Sequence, residues 1–206
     1  MNLAFLLSGI ALKTHDALLV VDVQNDFMPG GALGISGGDL ILPPLNRVIS
    51  AFLRQHLPVL YSRDWHPADH CSFQAQGGPW PPHCVRDTPG ARFDDRLRLE
   101  PKPRIFSKGQ HRDEEQYSAF RAEDEAGEPL SATLRRHGIH RLYIAGLATD
   151  YCVQNTTLDL RRAGYEVSVL TDACRAVNLQ PDDERLALRR MGGAGAKLLA
   201  STELKP

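Results

Sequence analysis

The sequence has no apolar run of the roughly 20 residues needed to cross a bilayer, and its formal net charge is only −1. It carries no basic stripe either, which argues against nucleic acid and anionic membrane surfaces as partners. Cysteine is scarce, with four in 206 residues, too few for a disulfide framework in a chain of this length. Cys71 and Cys84 remain able to pair across a long loop; the alternative is a set of reduced thiols, one of them chemically active. The Leu3–Leu12 stretch is mostly apolar but no basic segment precedes it, and the first expected strand starts a few residues later at Ala17. It therefore reads as a short extension over 1–14 rather than a secretory signal. A single domain over 15–206 and a cytoplasmic location are the corresponding expectations.

Hydrophobic residues make up 42% and charged residues 24% of the chain, ordinary proportions for a globular domain. Ala17–Val21 is a continuous apolar run, as expected of a strand buried on both faces of a parallel sheet. Pro43–His56 has the character of a helix, Pro58–Tyr61 of a second strand and Arg104–Phe106 of a third. A phrase Leu-Arg-Arg-x-Gly occurs three times, ending at Gly138, Gly164 and Gly192. Each reads as a helix end, with arginines facing the negative pole and glycine taking the left-handed cap. Apolar runs follow at Leu142–Ala145, Val167–Leu170 and Leu198–Ala200. Pro181, in the first turn with Asp182, Asp183 and Glu184, suits the start of the last helix. The alternation predicts one α/β domain: three layers, with a mainly parallel central sheet flanked by helices.

The exception is 64–103, which holds half of the prolines, three histidines and both tryptophans without periodicity. A long loop without structure of its own is usually functional.

Candidate chemistry clusters at strand ends. Asp22 closes the first strand, Asp64 the second, Lys108 follows the third and Cys152 the fourth. Ligands of open α/β sheets bind beyond these carboxyl ends. Asp64 and His66, two apart, share a face of an extended segment; His70 returns after a turn led by Pro67, and His83 is stiffened by two prolines. Three imidazoles and a carboxylate suit zinc, iron or manganese rather than calcium or magnesium; surface histidines in a polar loop are the alternative. Thr149 as N-cap would put Cys152 in the first turn of a helix, where the dipole favours thiolate and backbone N–H groups are free to bind an oxyanion. A cysteine packing helix against sheet is the plainer reading. A thiol nucleophile needs a base and a cation, roles that Asp22 and Lys108 can fill. Phe27 and Trp80 are candidate walls for a flat aromatic ligand, or simply packing residues. His15, His56, His137 and His140 are expected on the surface.

Together the phrases Val21-Asp22-Val23-Gln24-Asn25-Asp26-Phe27, Asp64-Trp65-His66-Pro67-Ala68-Asp69-His70, Trp80-Pro81-Pro82-His83-Cys84, Phe106-Ser107-Lys108-Gly109 and Gly146-Leu147-Ala148-Thr149-Asp150-Tyr151-Cys152-Val153 resemble the nicotinamidase/pyrazinamidase branch of the isochorismatase-like hydrolases. The likeness runs from about Ala17 to Thr202. It implies a catalytic trio of Asp22, Lys108 and Cys152, and one divalent metal, zinc before iron or manganese, on Asp64, His66, His70 and His83. It also implies a cis peptide between Leu147 and Ala148, with the Ala148 and Cys152 N–H groups as oxyanion hole. Tyr151, at a position where the family varies, is a further pocket residue. The implied reaction is hydrolysis of nicotinamide, and of pyrazinamide, through a thioester, feeding NAD salvage. The implied partner is this small molecule, with a homo-oligomer as an allowed assembly. The alternatives are an amidase for another small amide and a non-enzymatic metal-binding or redox-sensing protein.

Overall fold

The structure, a computed structural model, describes residues 9–205; most of the expected N-terminal extension, residues 1–8, lies outside them. Six strands form one sheet: β1 (Asp16–Val21), β2 (Val59–Asp64), β3 (Arg104–Lys108), β4 (Arg141–Leu147), β5 (Glu166–Arg175) and β6 (Lys197–Leu199). All adjacent pairs are parallel, in the order β3-β2-β1-β4-β5-β6. The order reverses between β1 and β4, and that switch point is where a crevice opens at the carboxyl ends of the strands.

Alternation along β1 explains its unbroken apolar run. Leu18 and Val20 pack into one core with Leu45, Ile49 and Phe52 of α1 (Leu42–Arg54). Ala17, Leu19 and Val21 face the other core, shared with Leu134 of α2 (Leu130–Arg136), Leu160 of α3 (Gln154–Arg162) and Met191 of α4 (Asp183–Gly193). Strand side chains point alternately to opposite faces, so a central strand needs apolar residues at every position. The result is the expected three layers.

Two of the three glycine phrases end helices as expected. Gly138 and Gly164 take φ of 61° and 91°, and the next residue's N–H closes back on the phrase's leucine, Ile139 to Leu134 and Tyr165 to Leu160, each at 3.0–3.1 Å. The third does not. α4 runs through Gly192, and Gly195, at φ 86°, takes the left-handed position instead. The closing bond there is Ala196 N–H to the Met191 carbonyl at 3.1 Å. The stop has moved three residues on, to Met191-Gly-Gly-Ala-Gly195, since glycine is permitted inside a helix as well as after it. Pro181 likewise sits before the Asp182 cap rather than in the first turn, which Asp183 and Glu184 occupy.

The 64–103 stretch is compact despite having only two short 3₁₀ turns, Gln74–Gln76 and Pro89–Ala91. It is tied to the segment after β1. The Asn25 N–H donates to Arg92 O at 2.9 Å, the Asp94 N–H to Val23 O at 3.0 Å, and the Cys84 N–H to the Asp26 carboxylate at 2.7 Å. All four cysteines are free, so Cys71 and Cys84 do not pair.

Candidate active site

The sheet register brings the strand-end residues together. Asp64 and Lys108 are opposite one another in the β2–β3 ladder, Asp22 follows β1, and Cys152 follows β4 across the switch point. Lys108 is fully buried, and its Nζ is the centre of the group. It lies 2.9 Å from Asp22 Oδ2 and 3.3 Å from Cys152 Sγ, and it donates to Asp64 Oδ1. A buried ammonium is tolerated only when paired; here two carboxylates outweigh the opposing effect of burial and raise the Lys108 pKa well above its ordinary value.

The electrostatics differ for the three neighbours. Burial pushes the Cys152 thiol well up, with Lys108 opposing and Asp22 and Asp64 adding to the shift. Burial also raises Asp22, against the pull of Lys108. For Asp64 the effect of burial is outweighed by Lys108 and then His66, so its carboxyl is held below the usual range. Burial therefore favours the protonated thiol at Cys152, against the pull of the Lys108 ammonium. Beside it stands a carboxylate whose basicity burial has increased, the combination a general base requires.

The residues around Cys152 depart from expectation in one respect. Thr149 is not the cap: Ala148 holds that position, Thr149–Val153 form a π-turn, and the Thr149 hydroxyl donates to Glu184 at 3.4 Å. Both Tyr151 N–H and Val153 N–H converge on the Ala148 carbonyl at 3.1 Å. The wider turn replaces the side-chain cap with backbone bonding, and π-turns are frequent at functional sites. The Leu147–Ala148 peptide is cis.

The metal-type residues are set by side-chain-to-backbone bonds rather than by the sheet. His66 Nδ1 faces the Gly109 carbonyl at 2.9 Å, and His83 Nδ1 faces the Pro81 carbonyl at 2.8 Å. A carbonyl only accepts, so each Nδ1 carries a proton, and Nε2 is the ligand atom when the ring is neutral. Ligand atoms of Asp64, His66 and His83 lie within 4.8 Å of one another, and all three residues are buried. This donor set fits a zinc-type ion. His70 stands differently. Its ring lies 4.2 Å from that of His66, but Nε2 donates to the Glu114 carbonyl at 3.1 Å and Nδ1 bonds the Ser72 hydroxyl at 2.7 Å. It is beside the cluster with both nitrogens engaged. Burial lowers the His83 and His70 pKa values; at His66 the Asp64 carboxylate outweighs burial and raises it.

A narrow cavity joins the two halves, lined by Cys152, Ala148, Asp64, His66 and His83 and walled by Phe27, Trp80, Tyr117 and Tyr151. Trp80 Nε1–H donates to the Tyr117 hydroxyl at 3.0 Å, and Trp80 meets Tyr151 edge-on at 5.0 Å. A wider cleft between α1 and Ser201–Leu204 has no cysteine, histidine or carboxylate in its lining, so the chemistry belongs to the narrower one. His15, His56, His137 and His140 are exposed.

Three residues at the site are absent from the sequence-level candidates. Tyr117 holds Trp80. Gln24, fully buried, accepts from the Asp64 N–H at 2.8 Å and donates to the Asp64 and Ala91 carbonyls at 2.8 and 2.9 Å. Ser62 donates to Asp22 Oδ1 at 2.7 Å. A polar residue three positions past the apolar run Ala17–Val21 was the available signal for Gln24; nothing comparable marks the other two.

The isochorismatase domain profile matches residues 16–203. The chain belongs to the isochorismatase domain family. Among its relatives, the nicotinamidase of Escherichia coli (strain K12) is 41% identical over 198 residues, spanning 88% of this chain and 93% of that one. Among solved structures, the pyrazinamidase of Pyrococcus horikoshii in complex with zinc superposes with a TM-score of 0.83 at 44% identity, covering 90% of this chain and 99% of that one. PnC1 from L. infantum in complex with nicotinate gives 0.85 at 33% identity, covering 96% and 98%. This isochorismatase-family chain thus shares its fold across nearly the full length of each.

Proposed function

We propose that the protein is a metal-dependent cysteine amidohydrolase that converts nicotinamide to nicotinic acid and ammonia, and also accepts pyrazinamide. The observation that carries this reading is the single ammonium of Lys108 in contact with Asp22, Asp64 and Cys152 at the floor of an aromatic-walled cavity. Relatives and solved structures of nicotinamidases and pyrazinamidases support it. The salvage of pyridine nucleotides in the cytoplasm is the corresponding cellular role.

Asp64, His66 and His83 would hold the ion, and His70 beside them would join as a fourth ligand only by giving up its bond to the Glu114 carbonyl. When bound, the metal supplies a Lewis-acid contact for a ring nitrogen and so orients the substrate; zinc is the best match to the donors. Phe27 and Trp80 sandwich the ring, with Tyr151 at the edge. Asp22 takes the Cys152 proton as the sulfur attacks the amide carbon, and Lys108 balances the charge that develops between them. The oxyanion is received by the Ala148 and Cys152 N–H groups. Asp22 then returns the proton to the departing nitrogen, releasing ammonia and leaving a thioester. A second cycle, with Asp22 deprotonating water, frees the acid.

The test is ammonia release from nicotinamide by the purified protein and its Cys152→Ala variant. Turnover by the wild type and none by the variant, at equal metal content, is expected; turnover by the variant would refute the nucleophile.

A further inference from the structure

Ser62 lies on β2, away from the cavity lining, and has no part in the reaction as described. It is nonetheless the residue most closely tied to Asp22. Its carbonyl accepts the Asp22 N–H at 3.1 Å and its hydroxyl donates to Asp22 Oδ1 at 2.7 Å. Both residues are fully buried, and Asp22 stands at φ 50°, in the left-handed region that residues other than glycine seldom occupy.

The consequence is an asymmetric carboxylate. Oδ1 is engaged by Ser62. Oδ2 faces the Lys108 ammonium at 2.9 Å as an ion pair and is engaged by no hydroxyl or amide donor. An Asp22 carboxylate oxygen and Cys152 Sγ lie within 4.8 Å of one another. We infer that Ser62 is a positioning residue for the general base: by donating to Oδ1 it fixes the carboxylate plane and leaves Oδ2 as the oxygen that exchanges the proton with Cys152 and the leaving group. This inference rests on the amidase reading above.

Proton accounting supports the assignment. In acylation the Cys152 S–H bond breaks and an O–H bond forms on Oδ2, while the sulfur keeps the electron pair and bonds to the amide carbon. On collapse the C–N bond breaks, the Oδ2–H bond breaks and an N–H bond forms on the leaving nitrogen. Throughout, the Ser62 hydroxyl keeps its hydrogen. Were the proton to settle on Oδ1 instead, the Ser62 hydroxyl would have to share that oxygen with it or reverse to accept from it, giving up the donation that holds the carboxylate in the resting site. The hydroxyl therefore acts as a selector of the working oxygen, a role that a small apolar residue cannot fill.

The experiment compares Ser62→Ala, Ser62→Thr and Ser62→Val in the full chain, reading kcat and KM for ammonia release, bound zinc, and the rate at which iodoacetamide modifies Cys152, followed by peptide mass. Ala and Val are expected to lower kcat by about 10- to 100-fold with KM changed less than about two-fold, because only the proton-transfer step is affected. Cys152 modification should slow in parallel, zinc content should stay constant, and Thr, which keeps the hydroxyl, should restore both rates. Thr and Val have nearly the same shape, so this pair decides the matter even where Ala fails to fold. Wild-type rates in Ala or Val, or a Thr variant as impaired as Val, would overturn the inference. Absence of ammonia release from the wild type would refute the amidase reading by itself. The modification rates would then still show whether Ser62 directs Asp22 toward the thiol.

Discussion

The two halves of the site are built by different means. Asp22, Asp64, Lys108 and Cys152 stand at or just past the ends of four adjacent parallel strands, where the ladder register fixes them: Asp64 pairs with Lys108, and Val21 lies between Ser62 and Gly146. His66, His83 and Trp80 belong to a stretch with almost no regular structure, and each is set by one bond to a neighbour: Gly109 O, Pro81 O and the Tyr117 hydroxyl. The first half is a property of the fold. The second is a property of a loop wrapped around the segment after β1. A sheet tolerates little displacement of its members, whereas a loop held by single contacts can lose one ligand without unfolding. The strand-end half should therefore fail together with stability, and the loop half should fail separately.

Lys108→Met tests the first statement and should have the largest effect. It leaves two buried carboxylates without their cation, a defect worth about 3–5 kcal/mol of stability. Activity should fall to background, and denaturant unfolding together with ammonia release would measure both. Preserved stability would mean that the strand-end cluster is not held by its charges.

Asp64→Asn should affect metal binding and turnover together, since Asp64 belongs to both halves. Loss of bound metal, read by elemental analysis, is expected together with a fall in turnover of at least about 100-fold. Gly109→Ala should act on the loop half alone. A methyl there would come 2.3 Å from the His66 ring, at a backbone φ of 60° that favours glycine. Metal affinity should drop about 10- to 100-fold with the sheet intact, as a competition titration with a chelator would report. Unfolding instead of metal loss would break the proposed separation. Trp80→Phe, which removes the donor to Tyr117, is the mildest. It should raise KM for nicotinamide by a few-fold, about the worth of one neutral hydrogen bond, and leave kcat and metal content unchanged.

The same division governs what could be read from the sequence. The apolar runs of β1, β4 and β5 announce strands because a central parallel sheet demands apolar residues on both faces, and their carboxyl ends pointed to Asp22 and Cys152. Helix ends were legible where Leu-Arg-Arg-x-Gly closes on its own leucine, and misleading at Gly192, where a helix passes through one glycine to stop at another. The turn carrying Cys152 was placed correctly but not its form, since Thr149 suits an N-cap and the π-turn depends on backbone bonds to Ala148. The orientation of His70 was beyond reach: it follows from Ser72 and from the Glu114 carbonyl, 44 residues away. Ser62 was hidden for the same reason, being an ordinary strand residue until the register sets it beside Asp22.

The most direct test of the account is ammonia release from nicotinamide before and after treatment with a chelator, followed by addition of zinc, iron or manganese, with Cys152 kept reduced. Deamidation that chelation removes and metal restores is expected, while the unfolding midpoint of the sheet changes little. Full activity in the metal-free protein, or no ammonia with any of the three metals from a folded sample, would contradict it.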